Sequence, residues 1–194
     1  MRKIILILSL MFVLIISGYG NACVGKILYI GILDSPDEQI SAEMLSLLIN
    51  ERTGTTVNIK YYKDSKDLYE AVKKKQVSIL IENTDRAMEI LGKPRPNDSK
   101  KAYDIAKEEF SKNLNLVWLN PFGFLTGAEG KGRRYYTPVI TADVLNNFPA
   151  LPRLINKLSG IISDETFAKL VKIVKSGEKP RKTARDFLKE KKLI

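Results

Sequence analysis

The sequence predicts an α/β fold, and three observations predict it. Short apolar runs alternate with longer stretches whose apolar residues recur at helical spacing. The first run, Lys26 to Leu33, is apolar almost throughout, as a strand covered on both faces requires. The intervening stretches begin at cap residues, and several end at glycines. An order of strand, helix, strand, helix, strand favours right-handed crossovers and a mostly parallel sheet with helices on both faces. At 194 residues and 44% hydrophobic, the chain suffices for one ordinary domain, and two full ones would be tight.

Met1-Arg2-Lys3, the apolar run Ile4 to Ile16 and the small residues up to Ala22 form the three zones of a secretory signal over residues 1–22. The run is short for a transmembrane helix, and Gly20 and Ala22 fit cleavage before Cys23. This arrangement resembles a bacterial lipoprotein signal, which implies a lipid anchor on Cys23 and a periplasmic or cell-envelope location. Gly20 stands where that pattern usually has a leucine-like residue, so ordinary signal cleavage is the alternative. Residues 23–194 then form one domain.

After the strand, Asp34-Ser35-Pro36-Asp37 starts a helix with Ile40, Met44, Leu47 and Leu48 on one face, and Gly54 stops it. Thr56 to Tyr61 reads as the second strand, Ser65 caps a helix closed by Lys73-Lys-Lys75, and Val77 to Ile81 is the third strand. A helix over Thr84 to Leu91 ends at Gly92. Asp98 or Ser99 caps another reaching Lys112, and Leu114 to Leu119 returns as a strand. Asn120 to Arg134 is glycine-rich and aperiodic, a loop by composition. Tyr135 to Ile140 is extended, Thr141 caps a short helix to Asn147, and Phe148 to Leu158 opens another around Pro152. Ser163 caps Asp164 to Lys175, Gly177 stops that helix, and Pro180 begins the last, to Lys192.

The charge of +10 falls to +8 on removal of a leader carrying Arg2 and Lys3 and no acid. The bases are spread over helix faces, which reads as solvated surface and not as a nucleic-acid interface. With no histidine and one cysteine, histidine bases, the usual triads, histidine metal sites and internal disulfides are excluded. No GxxxxGK[ST] phosphate loop is present. The expectation is a non-enzyme without cofactor or metal.

Ligands of open α/β sheets gather beyond the carboxyl ends of the strands, which puts Asp34, Ser35, Asp37 and Glu38 at the functional edge. Capping explains these residues equally well. Glu82 and Asp85 read as a helix start and not as a catalytic pair. Trp118, Phe122, Phe124, Tyr135 and Tyr136 either make an aromatic surface around the glycine-rich loop or belong to the core.

Several segments resemble, in the same order, the glycine betaine, choline and osmoprotectant substrate-binding proteins of ABC importers. They are Glu38-Gln39 after the first strand, Arg52-Thr-Gly-Thr-Thr-Val57, Trp118-Leu119, Thr137-Pro-Val-Ile140, Phe148-Pro-Ala-Leu-Pro152, Ile155-Asn-Lys-Leu-Ser-Gly160 and Ala184-Arg-Asp-Phe-Leu188. The resemblance implies a periplasmic-binding-protein-like lobe with a helical C-terminal segment, a quaternary ammonium solute held by aromatic faces, and an ABC permease as partner. It assigns solute contact to Ser35, Glu38, Asn83, Thr84, Trp118, Phe122, Tyr135 and Tyr136. Two departures accompany it. Residues 120–136 stand where that family inserts most of a second lobe, which leaves a homodimer as one way to supply the missing wall. Glu82-Asn-Thr-Asp85 replaces the family's Glu-Tyr-Thr-Gly. A one-lobe accessory protein at the membrane is the alternative.

Overall fold

The computed structural model describes residues 27–126 and 133–194. The leader and Cys23 lie outside the described residues. The elements run β1 (Ile27–Leu33), α1 (Pro36–Thr53), β2 (Thr56–Tyr62), α2 (Ser65–Lys73), β3 (Ile79–Asn83), α3 (Thr84–Ile90), α4 (Ser99–Leu114) and β4 (Leu116–Trp118). They continue with β5 (Gly123–Thr126), β6 (Arg133–Thr141), α5 (Ala142–Asn147), α6 (Leu151–Ile155), α7 (Asp164–Lys175) and α8 (Pro180–Glu190).

The α/β expectation holds, in a six-stranded sheet ordered β2-β1-β3-β6-β4, with β5 also paired to β6. The strands β2, β1 and β3 are parallel. β6 runs against β3, β4 and β5, so it alone is reversed. The reversal follows from the connection: β5 and β6 are joined by residues 127–132 alone, and a short return makes an antiparallel pair. Much of the stretch that composition assigns to a loop is therefore paired strand. Pro138 fits inside β6 because its carbonyl accepts the Leu119 N–H at 3.0 Å. Its ring nitrogen consequently faces the break between β4 and β5, where no ladder donor is needed.

Helices cover both faces. On one, α1, α6, α7 and α8 bury Ile79 and Ile81 with Leu48, Ile155, Phe167 and Leu188. On the other, α2, α3 and α4 bury Leu80 and Val139 with Leu68, Met88, Phe110 and Trp118. Strand alternation sends Leu80 to the opposite face from its neighbours. β6 wedges between β3 and β4 so that both layers close over it.

Boundary differences have local causes. Asp64, not Ser65, caps α2, accepting the Asp67 N–H at 2.9 Å. β3 begins two residues later than its apolar run and continues through Glu82 and Asn83, polar residues that find partners inside the fold. The helix expected over 148–158 shrinks to α6, which gives way to turns after Ile155. Gly54 stops α1 as expected, with φ of 69° and its N–H on the Asn50 carbonyl.

Candidate functional site

The carboxyl ends of β1, β3 and β5 and the start of β6 share one edge of the sheet. Glu38, in the first turn of α1, turns back under β1: its Oε2 accepts the Leu33 N–H at 2.8 Å and its Oε1 accepts Arg86 Nη1 at 2.7 Å. Arg86 Nε donates to Glu82 Oε1 at 2.6 Å, and its Nη2 donates to the Ile81 carbonyl. Glu82 Oε1 also accepts the Asn83 N–H at 2.7 Å, while its Oε2 accepts the Tyr69 hydroxyl. One guanidinium thus bridges two carboxylates, and the network ties α1, α2, β3 and α3 together.

All of this is buried, Glu38 at 3% exposure, Glu82 at 0% and Arg86 at 7%. Removal from water pushes the Glu38 carboxyl up to about 7, because desolvation outweighs the attraction of Arg86. Burial and the neighbouring Glu82 carboxylate raise the Tyr69 hydroxyl well above its usual value. For Arg86, burial works against the cation, but Glu82 and Glu38 reverse the balance and hold it charged.

Most of the remaining polar residues anticipated here have structural tasks. Asn83 caps α3, its Oδ1 accepting the Arg86 N–H at 3.0 Å. Thr84 Oγ1 accepts the Tyr135 N–H at 3.3 Å and so fastens α3 to β6. Ser35 sits at the cap position of α1 without a side-chain cap bond, its hydroxyl buried and unpartnered. Asp85 pairs with Arg95 Nε at 2.7 Å and Arg134 Nε at 3.4 Å, bracing the β6 end of the edge.

The aromatic residues divide between the faces. Tyr69, Phe110, Trp118, Tyr103, Tyr135 and Phe124 make one series of edge-to-face contacts, with successive centroids 6.1, 5.3, 5.8, 6.0 and 5.3 Å apart. It runs from the interior under α4 to the half-buried edge, where the Arg133 guanidinium lies over Phe124 at 4.5 Å. Tyr136 and Phe122 pack instead on Phe167 of α7, at 5.5 and 6.3 Å. Burial, with the Asp37 carboxylate nearby, raises the Tyr136 hydroxyl strongly. Tyr135 and Tyr136 are adjacent in a strand and must point opposite ways, so the five aromatics do not converge. Trp118, Phe122 and Tyr136, at 2%, 1% and 3% exposure, are core residues.

Arg86 and Tyr69 are the network members that sequence reasoning does not single out. A signal for Arg86 exists: it is a cation four residues from Glu82, beside Ala87 and Met88 of an apolar face. Among the described residues no group of three or more His, Cys, Asp or Glu could hold a metal. A cleft of about 720 Å³ lies at the opposite edge, lined by Ile27, Val72, Val77 and Leu116 with Lys73 and Lys75.

No family model matches this chain, and no curated protein matches it. Solved structures do. A glycine betaine/carnitine/choline ABC transporter protein aligns with TM-score 0.73 at 17% identity, over 87% of this chain and 98% of that one. Apo YehZ from Escherichia coli aligns at 0.75 and 11%, over 88% and 100%. Lactococcal OpuAC in its closed form with glycine betaine aligns at 0.58 and 10%, over 86% and 96%. At these identities the likeness is one of fold: the chain has the α/β architecture of these solute-binding proteins.

Proposed function

We propose that this chain is an exported solute-binding protein that takes a small quaternary ammonium compound of the betaine or choline type and passes it, without covalent chemistry, to an ABC permease. The observation that carries this reading is the fold likeness to proteins whose structures hold glycine betaine and choline. The chemistry of the edge supports it. A methylated ammonium offers no ordinary hydrogen-bond donor and is held by aromatic faces. The Phe124 face already takes a cation, Arg133, and Tyr135 stands beside it. In this reading residues 1–22 direct export, Cys23 carries the anchor, and a second copy supplies the wall that a lone lobe lacks.

A second reading has its own observation. Trp118, Phe122 and Tyr136 are consumed by the core, which leaves Tyr135 and Phe124 of those five aromatics at the edge, and cation-π attraction at such open sites is weak, on the order of 1 kcal/mol. A one-lobe descendant serving as an accessory protein at the membrane would look like this.

Calorimetric titration of residues 24–194 with glycine betaine, choline, carnitine and proline betaine separates the two. Micromolar binding that Tyr135→Ala abolishes, with the thermal melt unchanged, supports solute capture. A folded sample that gives no heat with any of the four leaves the accessory reading.

A further inference from the structure

In this fold the helices that recross the sheet run against the parallel strands, so their carboxyl ends collect where those strands begin. α1, α2 and α4 end there, each leading into the next strand. α8 ends beside α1, because Arg52 Nε donates to the Leu193 carbonyl at 2.6 Å and its Nη2 to the Lys192 carbonyl at 3.2 Å. Favourable dipole pairing places bases in such last turns, here Arg52, Lys73, Lys112 and Lys189. The chain adds Lys74, Lys75, Lys191 and Lys192 just beyond them, and all eight are exposed.

The acidic side chains at this end are Glu51, Glu70, Glu108, Asp143 and Glu190, so basic side chains exceed acidic ones by three. Most of those acids sit in open pairs, with Lys73, Lys112, Lys75 and Lys191. Among the described residues Lys74, Lys189 and Lys192 have no acid within ion-pair distance. At the other ends of the helices, first turns carry Asp37, Glu38, Asp67, Asp85, Asp164 and Glu165. The basic end also exposes apolar surface: Ile27 is 48% accessible and lines the 720 Å³ cleft with Val72 and Leu116. The chain that precedes Ile27 joins the molecule at this point.

We propose that this basic end docks on an anionic lipid bilayer, with the lysines at the headgroups and Ile27 at the interface. The charge complementarity and the point where the preceding chain joins select that partner. Neither the solute nor the permease enters the inference, so a failed solute titration leaves it standing.

The test is vesicle flotation of a chain from residue 24, which carries every described strand and both cores. Phosphatidylcholine vesicles are compared with phosphatidylcholine–phosphatidylglycerol vesicles at low and high salt, and thermal melts verify each sample's fold. Binding to the anionic vesicles alone, suppressed by salt, is expected. The triple variant Lys74→Glu, Lys189→Glu, Lys192→Glu should weaken it on the order of 100-fold, at roughly fivefold or more per lysine. Lys63→Glu, Lys66→Glu, Lys101→Glu makes the same charge change at the opposite end and should weaken it by about threefold or less. A Lys→Gln version of the first triple gives the same ranking if charge reversal disturbs folding. Equal losses from both triples, equal binding to neutral vesicles, or no binding to either overturns the proposal.

Discussion

The two ends of the sheet hold charge in opposite ways. At the carboxyl end of the strands, Glu38, Arg86 and Glu82 are dry and interlocked, with both carboxylates on one guanidinium. At the other end, Lys75 and Asp143 meet at 2.9 Å with their side chains 80% and 62% exposed. The pairs have similar lengths and very different consequences. Water screens the second almost completely, whereas the first keeps its full field and the full cost of desolvation. Charge placed inside fixes geometry, and charge placed outside is available to a partner.

The largest effect that would break this contrast is loss of the shared cation. Arg86→Met leaves two buried carboxylates without a counter-charge, and such a break costs about 3–5 kcal/mol. Urea unfolding should report that loss, and a variant within 1 kcal/mol of wild type would show that the network is far wetter than its burial indicates.

The pH dependence comes next. Glu38 titrates near 4.5 when unfolded and about 7 when folded, so between those values the native state holds a proton that the unfolded chain has released. Its contribution is most favourable below about 4.5, falls as pH rises through this window, and is flat above about 7. The fall is on the order of 3 kcal/mol. Glu38→Gln should remove that slope from the stability profile. An unchanged slope in Glu38→Gln would place its origin in another group.

The architecture was largely legible in the sequence, and the site only in part. The apolar run of β1, the Gly54 stop and the Ser163 cap are local signals, and the structure honours them. The β5–β6 pairing was not legible, because a glycine-rich run has no period and its partners lie in each other. Glu82 read as a helix start because its partners, Tyr69 and Arg86, are brought to it only by the fold. The same limit hid the division of the aromatics. Tyr135 and Tyr136 are neighbours in sequence and make ring contacts on opposite faces of the sheet.

Packing at the carboxyl end gives a smaller, purely steric test. A methyl group on Gly123 would lie 2.5 Å from the Phe167 ring, on the face that also holds Tyr136. Gly123→Ala should therefore cost about 1–3 kcal/mol, as overpacking of a tight core does. Calorimetric melting checks this, and a neutral result would mean that α7 gives way easily. That outcome would loosen the whole Tyr136 side of the edge.

The smallest expected change is at the opposite end. Lys75→Met deletes the open pair with Asp143, and exposed pairs of this kind contribute little because side-chain entropy and screening cancel most of the attraction. Lys75 also adopts a left-handed conformation, φ 58°, which methionine tolerates no worse than lysine does. No measurable shift in the urea midpoint is expected, in the same assay that registers Arg86→Met. A loss comparable to that of Arg86→Met would mean that the pair is shielded from water, and the contrast between the two ends would disappear.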